Sequence, residues 1–276
     1  MEQISRPMLR LVLTRHPAQA GDLEAAARQV GYDVGFMPLT YQQLPEDPRD
    51  LTAAIEQLQR GDFHWLLLTS PNTVRALSLC GWQGRLPDAT RLAVVGPGTA
   101  RVLKEHTGLR PHWMAQNHSA AGILAELEGP AAGERMLLPQ SAQARSELAA
   151  GLRARGWELT HVPAYRSVAR DFSTPQPAAP HLLHADAAED AHEADLLEPA
   201  DLHAEDVVLV TSSTAAEVYA QLPGPAKPIP AAQPVLLAIG WPTAETLTAQ
   251  GFTGARVLPE PTAGGLTSVL NRLSSR

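Results

Sequence analysis

Four short segments hold most of the residues whose types and spacing suit chemistry. Thr69-Ser70 follows the apolar run Leu66–Leu68, and Thr211-Ser212 follows Val207–Val210. Gly96-x-x-Thr99 follows Leu92–Val95, and Gly240-x-x-Thr243 follows Val235–Ile239. Each segment opens a helical pattern. It therefore places backbone N–H groups and a hydroxyl at the carboxyl end of a strand, where open α/β sheets bind ligands and helix N-termini favour anions. One such turn in isolation usually does no more than cap its helix. Four of them in two matched pairs suit a ligand bearing many carboxylates, because local donors decide binding despite a formal net charge of −7. Arg15-His16, after the first strand, is either an anion grip or a solvated pair. Tyr165, ending the run Leu159–Tyr165 ahead of Arg166, is either a phenol aimed at a ligand or a packed core tyrosine.

Other chemistries lack their motifs. Gly96-x-Gly98 has Arg101 where a dinucleotide fingerprint needs its third glycine, and no Walker loop, Gly-x-Ser-x-Gly elbow or His-Glu-x-x-His occurs. Cys80 is the only cysteine, with no histidine beside it in sequence, so an inert thiol is expected and an internal disulfide is excluded. Lysine is confined to Lys104 and Lys227, neither in a recognisable site, which argues against Schiff-base chemistry. No metal and no cofactor is expected.

Stepping outward, strand-like runs alternate with amphipathic helices over most of the chain, from Leu9–Thr14 through Trp65–Thr69 and Met136–Pro139 to Arg256–Leu258. That alternation predicts α/β architecture with parallel sheets flanked by helices. Ser70-Pro71, Ser119 and Gly96-Pro97 mark helix starts. The elements also repeat. Thr69-Ser70 and Thr211-Ser212 lie 142 residues apart, and the Gly-x-x-Thr pairs lie 144 apart. Leu13–Pro38 aligns without a gap to Leu138–Pro163 at an offset of 125, with Leu23 on Leu148, Gly31 on Gly156 and Tyr32 on Trp157. Two offsets exclude a simple tandem repeat. They imply two similar lobes and extra residues in the second half, placed in the Pro/Ala/His/acid-rich stretch Asp171–Asp206. This stretch includes His181-x-x-His184 and reads as a solvated insertion without assigned function.

The 276 residues, 44% hydrophobic and 18% charged, suffice for one large or two ordinary cores and argue against global disorder. The negative charge disfavours nucleic-acid binding, and no apolar run is long enough to span a membrane. The first residues, Met1-Glu2-Gln3-Ile4-Ser5-Arg6, lack an apolar signal core, so a cytoplasmic location is expected. Coiled-coil heptads are missing, so a monomer is expected.

At several of these residues the chain resembles the uroporphyrinogen-III synthase family. The resemblance rests on Leu13-Thr14-Arg15, Leu68 through Val74, Val95 through Ala100, Pro163-Ala164-Tyr165-Arg166-Ser167, Asp206 through Ser213, Ile239 through Ala244, and Glu260 through Leu266. It implies two α/β lobes joined by a two-stranded linker, with residues 1–37 joining 168–276 in one lobe, 41–162 forming the other, and 37–41 and 162–167 linking them. It further implies cyclisation of hydroxymethylbilane, a linear tetrapyrrole, to uroporphyrinogen III in a cleft between the lobes, with ring D inverted through a spiro intermediate. Tyr165 would assist departure of the hydroxyl. Arg15, Thr69, Ser70, Gly96, Thr99, Ser141, Thr211, Ser212, Gly240 and Thr243 would bind substrate. Trp241 and Ser167 depart from the residues usual at their positions. The alternative is a two-lobe tetrapyrrole-binding or regulatory module without catalysis.

Overall fold

The computed structural model describes residues 9–172, 196–222 and 234–274. Most of the predicted insertion, with His181, His184 and His192, lies outside the described residues, as does Lys227. The described residues form two compact units, one of residues up to 41 with 168–172 and 196–274, the other of residues 42–167.

The first unit holds strands β1 (Arg10–Leu13), β2 (Asp33–Phe36), β9 (Val207–Val210), β10 (Val235–Ala238) and β11 (Arg256–Val257). They form one parallel sheet in the order β11-β10-β9-β1-β2. Its helices are α1 (Asp22–Gln29), α7 (Ser213–Ala220), α8 (Trp241–Ala249) and α9 (Ala263–Ser274). The second unit holds β3 (Thr40–Gln43), β4 (Trp65–Leu68), β5 (Arg91–Val94), β6 (Trp113–Met114), β7 (Arg135–Ser141) and β8 (Glu158–Ala169), in the order β3-β8-β7-β4-β5-β6. Its helices are α2 (Arg49–Arg60), α3 (Pro71–Leu79), α4 (Pro97–Thr107), α5 (Ala120–Glu126) and α6 (Glu147–Ala154). The division between the units falls inside β3 and β8, which are neighbours in the sheet.

The two repeat offsets relate equivalent elements of the two sheets, and they differ because the chain between β8 and β9 is longer than that between β2 and β4. With β3 set aside at the edge of the second sheet, both sheets have the spatial pattern second-first-third-fourth-fifth. In the first unit, β1 and β2 supply the first pair and β9, β10 and β11 the remaining three. In the second unit the pattern is permuted, because β4, β5 and β6 precede β7 and β8 in the chain. The offset of 125 therefore maps β1-α1-β2 onto β7-α6-β8, and that of 142–144 maps β4-α3-β5-α4 onto β9-α7-β10-α8.

Central strands are apolar throughout because both sheet faces are covered by helices. In β4, Leu66 and Leu68 enter one core cluster while Trp65 and Leu67 enter another. In β9, Val208 and Val210 face one cluster and Val207 and Leu209 the other. The first unit is built from distant parts of the chain, and an ion pair helps join them. Arg10, at the start of β1, donates from Nε to Asp206 Oδ1 at 3.0 Å and from Nη2 to Oδ2 at 2.7 Å. Asp206, only 3% exposed, also accepts the His203 N–H at 2.8 Å. Hydrogen bonding to Asp206 is the largest influence raising the Arg10 guanidinium above its ordinary value. Asp206→Ala is expected to lower stability by roughly 2 kcal/mol, below the ~3–5 of a fully buried pair because Arg10 keeps some water. Urea denaturation checks it; an unchanged midpoint would mean the pair does not join the segments.

Candidate functional site

Doubly wound sheets open a crevice where the strand order reverses, at the carboxyl ends of the first and third strands of the pattern. In the second unit these strands are β7 and β4. Thr69-Ser70 leaves β4 and Gln140-Ser141 ends β7, with Gln140 Nε2 donating to Thr69 Oγ1 at 3.3 Å. Ser70 is extended, and its Oγ caps α3 by accepting the Thr73 N–H at 3.2 Å. The same oxygen lies 3.1 Å from the Tyr165 hydroxyl.

Tyr165 reaches Ser70 because β8 breaks its own alternation. Gln140 pairs with Pro163 but Ser141 pairs with Tyr165, so Ala164 is an extra residue on the β8 side. Val162 is buried, Pro163 exposed and Ala164 buried, so strict alternation would turn Tyr165 outward. The bulge instead buries Ala164 and Tyr165 in succession and places the tyrosine in the apolar cluster with Leu68 and Val74. Proline fits this irregular stretch because it has no N–H to supply to the ladder. Burial pushes the phenol of Tyr165 up, opposed by hydrogen bonds with Ser70, Asn72 and Ser141. Asn72 Oδ1 in turn accepts from Arg75 Nη1 at 3.2 Å. Asn72, Arg75 and Gln140 were not singled out from sequence. The available signal was the spacing of Asn72 and Arg75, three apart in the first turn of a helix.

The corresponding point of the first unit lies between β1 and β9. Thr14 Oγ1 donates to the Leu209 carbonyl at 3.0 Å and accepts the Thr211 N–H at 3.2 Å. Ser212 caps α7 by accepting the Ala215 N–H at 3.0 Å. Ser213 Oγ, donating to the Pro242 carbonyl at 3.2 Å, ties that turn to the one opening α8. Arg15 is partly buried. Its Nη1 donates to the Gln19 carbonyl at 3.2 Å, while its Nε is sealed from solvent without a hydrogen-bond partner. Burial alone pulls the guanidinium down to about 10, so it remains a cation at neutral pH. The 125-residue offset places Arg15 on Gln140, whose buried Oε1 likewise lacks a partner.

Gly96 and Gly240 are the extended residues just before α4 and α8. Thr99 and Thr243, in the first turns of those helices, are 2% and 3% exposed. Trp241 is 71% exposed at the start of α8. Burial raises the Cys80 thiol, away from a reactive thiolate. Among the described residues, no group of three or more His, Cys, Asp or Glu side chains is arranged to hold a metal ion, and no helix is long and apolar enough to cross a membrane.

The family model for uroporphyrinogen-III synthase HemD matches residues 21–268, nine-tenths of the chain. The chain belongs to the uroporphyrinogen-III synthase family. It is 30% identical over 161 residues to the uroporphyrinogen-III synthase of Synechococcus elongatus, an alignment covering 57% of this chain and 60% of that protein. It is 31% identical over 170 residues to the chloroplastic uroporphyrinogen-III synthase of Oryza sativa subsp. japonica, covering 59% and 55%. The matched segments thus span less than two thirds of these curated relatives. A solved uroporphyrinogen-III synthetase from Helicobacter pylori shares the fold at 16% identity, with a TM-score of 0.56 over 98% of this chain and 100% of that one. For a member of this family, the structure brings Thr69, Ser70, Ser141 and Tyr165 together in one unit and Thr211 and Ser212, next to Thr14, in the other.

Proposed function

We propose that this chain is a uroporphyrinogen-III synthase, cyclising hydroxymethylbilane to uroporphyrinogen III with inversion of ring D and without a cofactor. Family membership supports this reading of the reaction. The observation that carries the assignment to these residues is the pair of equivalent strand-end crevices, each lined by hydroxyls and helix N-termini and each holding a buried polar atom without a partner. A substrate with eight carboxylates and four pyrrole N–H groups supplies acceptors and donors for both. Arg15 takes a carboxylate, and the turns at Ser70, Gly96–Thr99, Ser212 and Gly240–Thr243 offer backbone N–H groups to others.

Tyr165 passes its proton, directly or through one water, to the departing hydroxyl. The carbon–oxygen bond breaks, a pyrrole nitrogen supplies the electron pair, and loss of that nitrogen's proton restores the phenol and leaves an azafulvene. The substituted carbon of ring D then attacks, and the spiro intermediate fragments and recloses with ring D inverted. Most of the catalytic task is geometric, since the free bilane closes by itself to the uninverted isomer. Incubation with enzymatically generated hydroxymethylbilane and separation of the uroporphyrin isomers tests the assignment. Type III is expected; type I alone would leave a binding or regulatory module.

Arg15 provides a sharper check. Its charge is sheltered by burial without a carboxylate partner among the described residues. Arg15→Met should therefore raise resistance to urea while weakening substrate binding roughly 10- to 100-fold, the size of one charged hydrogen bond. A variant with lowered stability and unchanged KM would make Arg15 a structural residue.

A further inference from the structure

We propose that Gln143 is a positioning residue whose side-chain amide stands in for a strand residue beside Ser167 and so holds the bulge of β8 that turns Tyr165 toward Ser70. The inference rests on Tyr165 being the proton donor of the proposed reaction. The strand β7 ends at Ser141, where the chain turns, with the Ala144 N–H donating to the Ser141 carbonyl at 3.0 Å. Its neighbour β8 runs on to Ala169 and outlasts it. The turn still supplies one backbone bond, from the Ala142 N–H to the Tyr165 carbonyl at 2.7 Å. At Ser167 a side chain takes over. Gln143 Nε2 donates to the Ser167 carbonyl at 2.9 Å, and Gln143 Oε1 accepts the Ser167 N–H at 3.1 Å.

A primary amide carries a donor and an acceptor as a peptide group does, so this pair copies one rung of the ladder. Only one orientation of the amide satisfies both bonds. Oε1 also accepts from Ser141 Oγ at 2.9 Å, and Ser141 Oγ accepts the Gln143 N–H at 3.2 Å, so the side chain is tied at its tip and at its base. The bulge at Ala164 competes with the regular register, in which Ser141 would pair with Ala164 and Tyr165 would turn outward. Regular pairing from Arg135 to Gln140 holds β8 ahead of the bulge. The rung at Ser167, two residues past Tyr165, holds the shifted register from the other side. With both ends fixed, the Tyr165 hydroxyl stays 3.1 Å from Ser70 Oγ.

Gln143 is exposed, so Gln143→Ala is expected to fold. Its turnover to type III isomer should fall about tenfold, the size of the two hydrogen bonds lost, with KM little changed. Added to Tyr165→Phe, the same substitution should lower turnover no further, because a residue acting through the phenol then has nothing to act through. The phenol titration is read as the ultraviolet phenolate absorbance of each protein minus that of its Tyr165→Phe counterpart. Burial holds this phenol above its ordinary value, so its release in Gln143→Ala should move the titration to lower pH. Wild-type turnover and titration in Gln143→Ala would overturn the proposal, as would an equal loss of turnover with and without the phenol. Full activity in Tyr165→Phe would overturn the proton-donor reading, and this inference with it. Absence of type III isomer from the wild type would instead overturn the proposed reaction, and the titration would still decide whether Gln143 holds Tyr165 in place.

Discussion

Tyr165→Phe is expected to lower the rate of uroporphyrinogen III formation roughly 100-fold, the low end of what one general acid contributes. The substitution is clean because the ring and the hydroxyl do different jobs. The ring packs with Val162, Ala164 and Leu68 and stays in place as phenylalanine. The Ser70 cap on α3 is made with the Thr73 N–H and does not need the phenol. Loss of the 3.1 Å contact with Ser70 should cost about 1 kcal/mol of stability or less. The pH dependence has a definite sign. Burial raises the phenol above its ordinary value of 10.0, so the proton is in place throughout the neutral range and activity falls only as pH climbs through that raised value. In Tyr165→Phe this alkaline limb should vanish. The measurement must follow the isomer ratio as well as total porphyrin, because spontaneous closure to type I supplies a background that grows in relative weight as the enzyme slows. Unchanged turnover and an unchanged isomer ratio would remove Tyr165 from the mechanism.

Much of the architecture was legible before the coordinates because it follows from local patterns that also serve the global fold. Ser70-Pro71 combines a cap with a residue preset for the first helical position, and α3 runs Pro71–Leu79 as the pattern predicts. The all-apolar β4 and β9 announced strands covered on both faces. The unequal repeat offsets pointed to two similar lobes and to extra residues in the second half, while the order of the strands appeared only with the sheets. What sequence did not show depends on register and on approach between distant segments. The two-residue edge strand β6 is too short to carry periodicity. The extra residue at Ala164 is invisible in a sequence with regular-looking alternation, yet it decides where Tyr165 points. Arg15 read equally well as an anion grip or a solvated pair. Its solitary, sheltered nitrogen is a tertiary fact.

Two glycines make the same point with a large expected effect. Gly122→Ala and Gly265→Ala should each destabilise the protein by about 3 kcal/mol, although alanine is the better helix former by about 1 kcal/mol. Gly122 in α5 and Gly265 in α9 occupy equivalent positions, 143 residues apart. Each follows a capping hydroxyl by three residues, with Gly122 N–H donating to Ser119 Oγ at 3.0 Å and Gly265 N–H to Thr262 Oγ1 at 3.2 Å. In both units the chain entering the helix folds back over this residue. A Cβ on Gly122 would lie 1.9 Å from the Asn117 carbonyl oxygen, and one on Gly265 would lie 2.2 Å from that of Glu260. Backbone cannot yield as a flexible side chain does, so the entering loop must move or the helix must shift. At Gly122 the disturbance also reaches the candidate site, because His118 of that loop lies against the Gly96 turn, 3.1 Å from where a Cβ would stand. Gly264 is the internal control. It neighbours Gly265 in the same helix, but a Cβ there would meet only Thr262 Oγ1 at 3.9 Å. Gly264→Ala should be neutral or stabilising by up to about 1 kcal/mol. Urea midpoints of the adjacent pair, Gly264→Ala and Gly265→Ala, should therefore move in opposite directions or one not at all. A common shift in both would mean that helix propensity, rather than the closeness of the entering backbone, governs the start of α9.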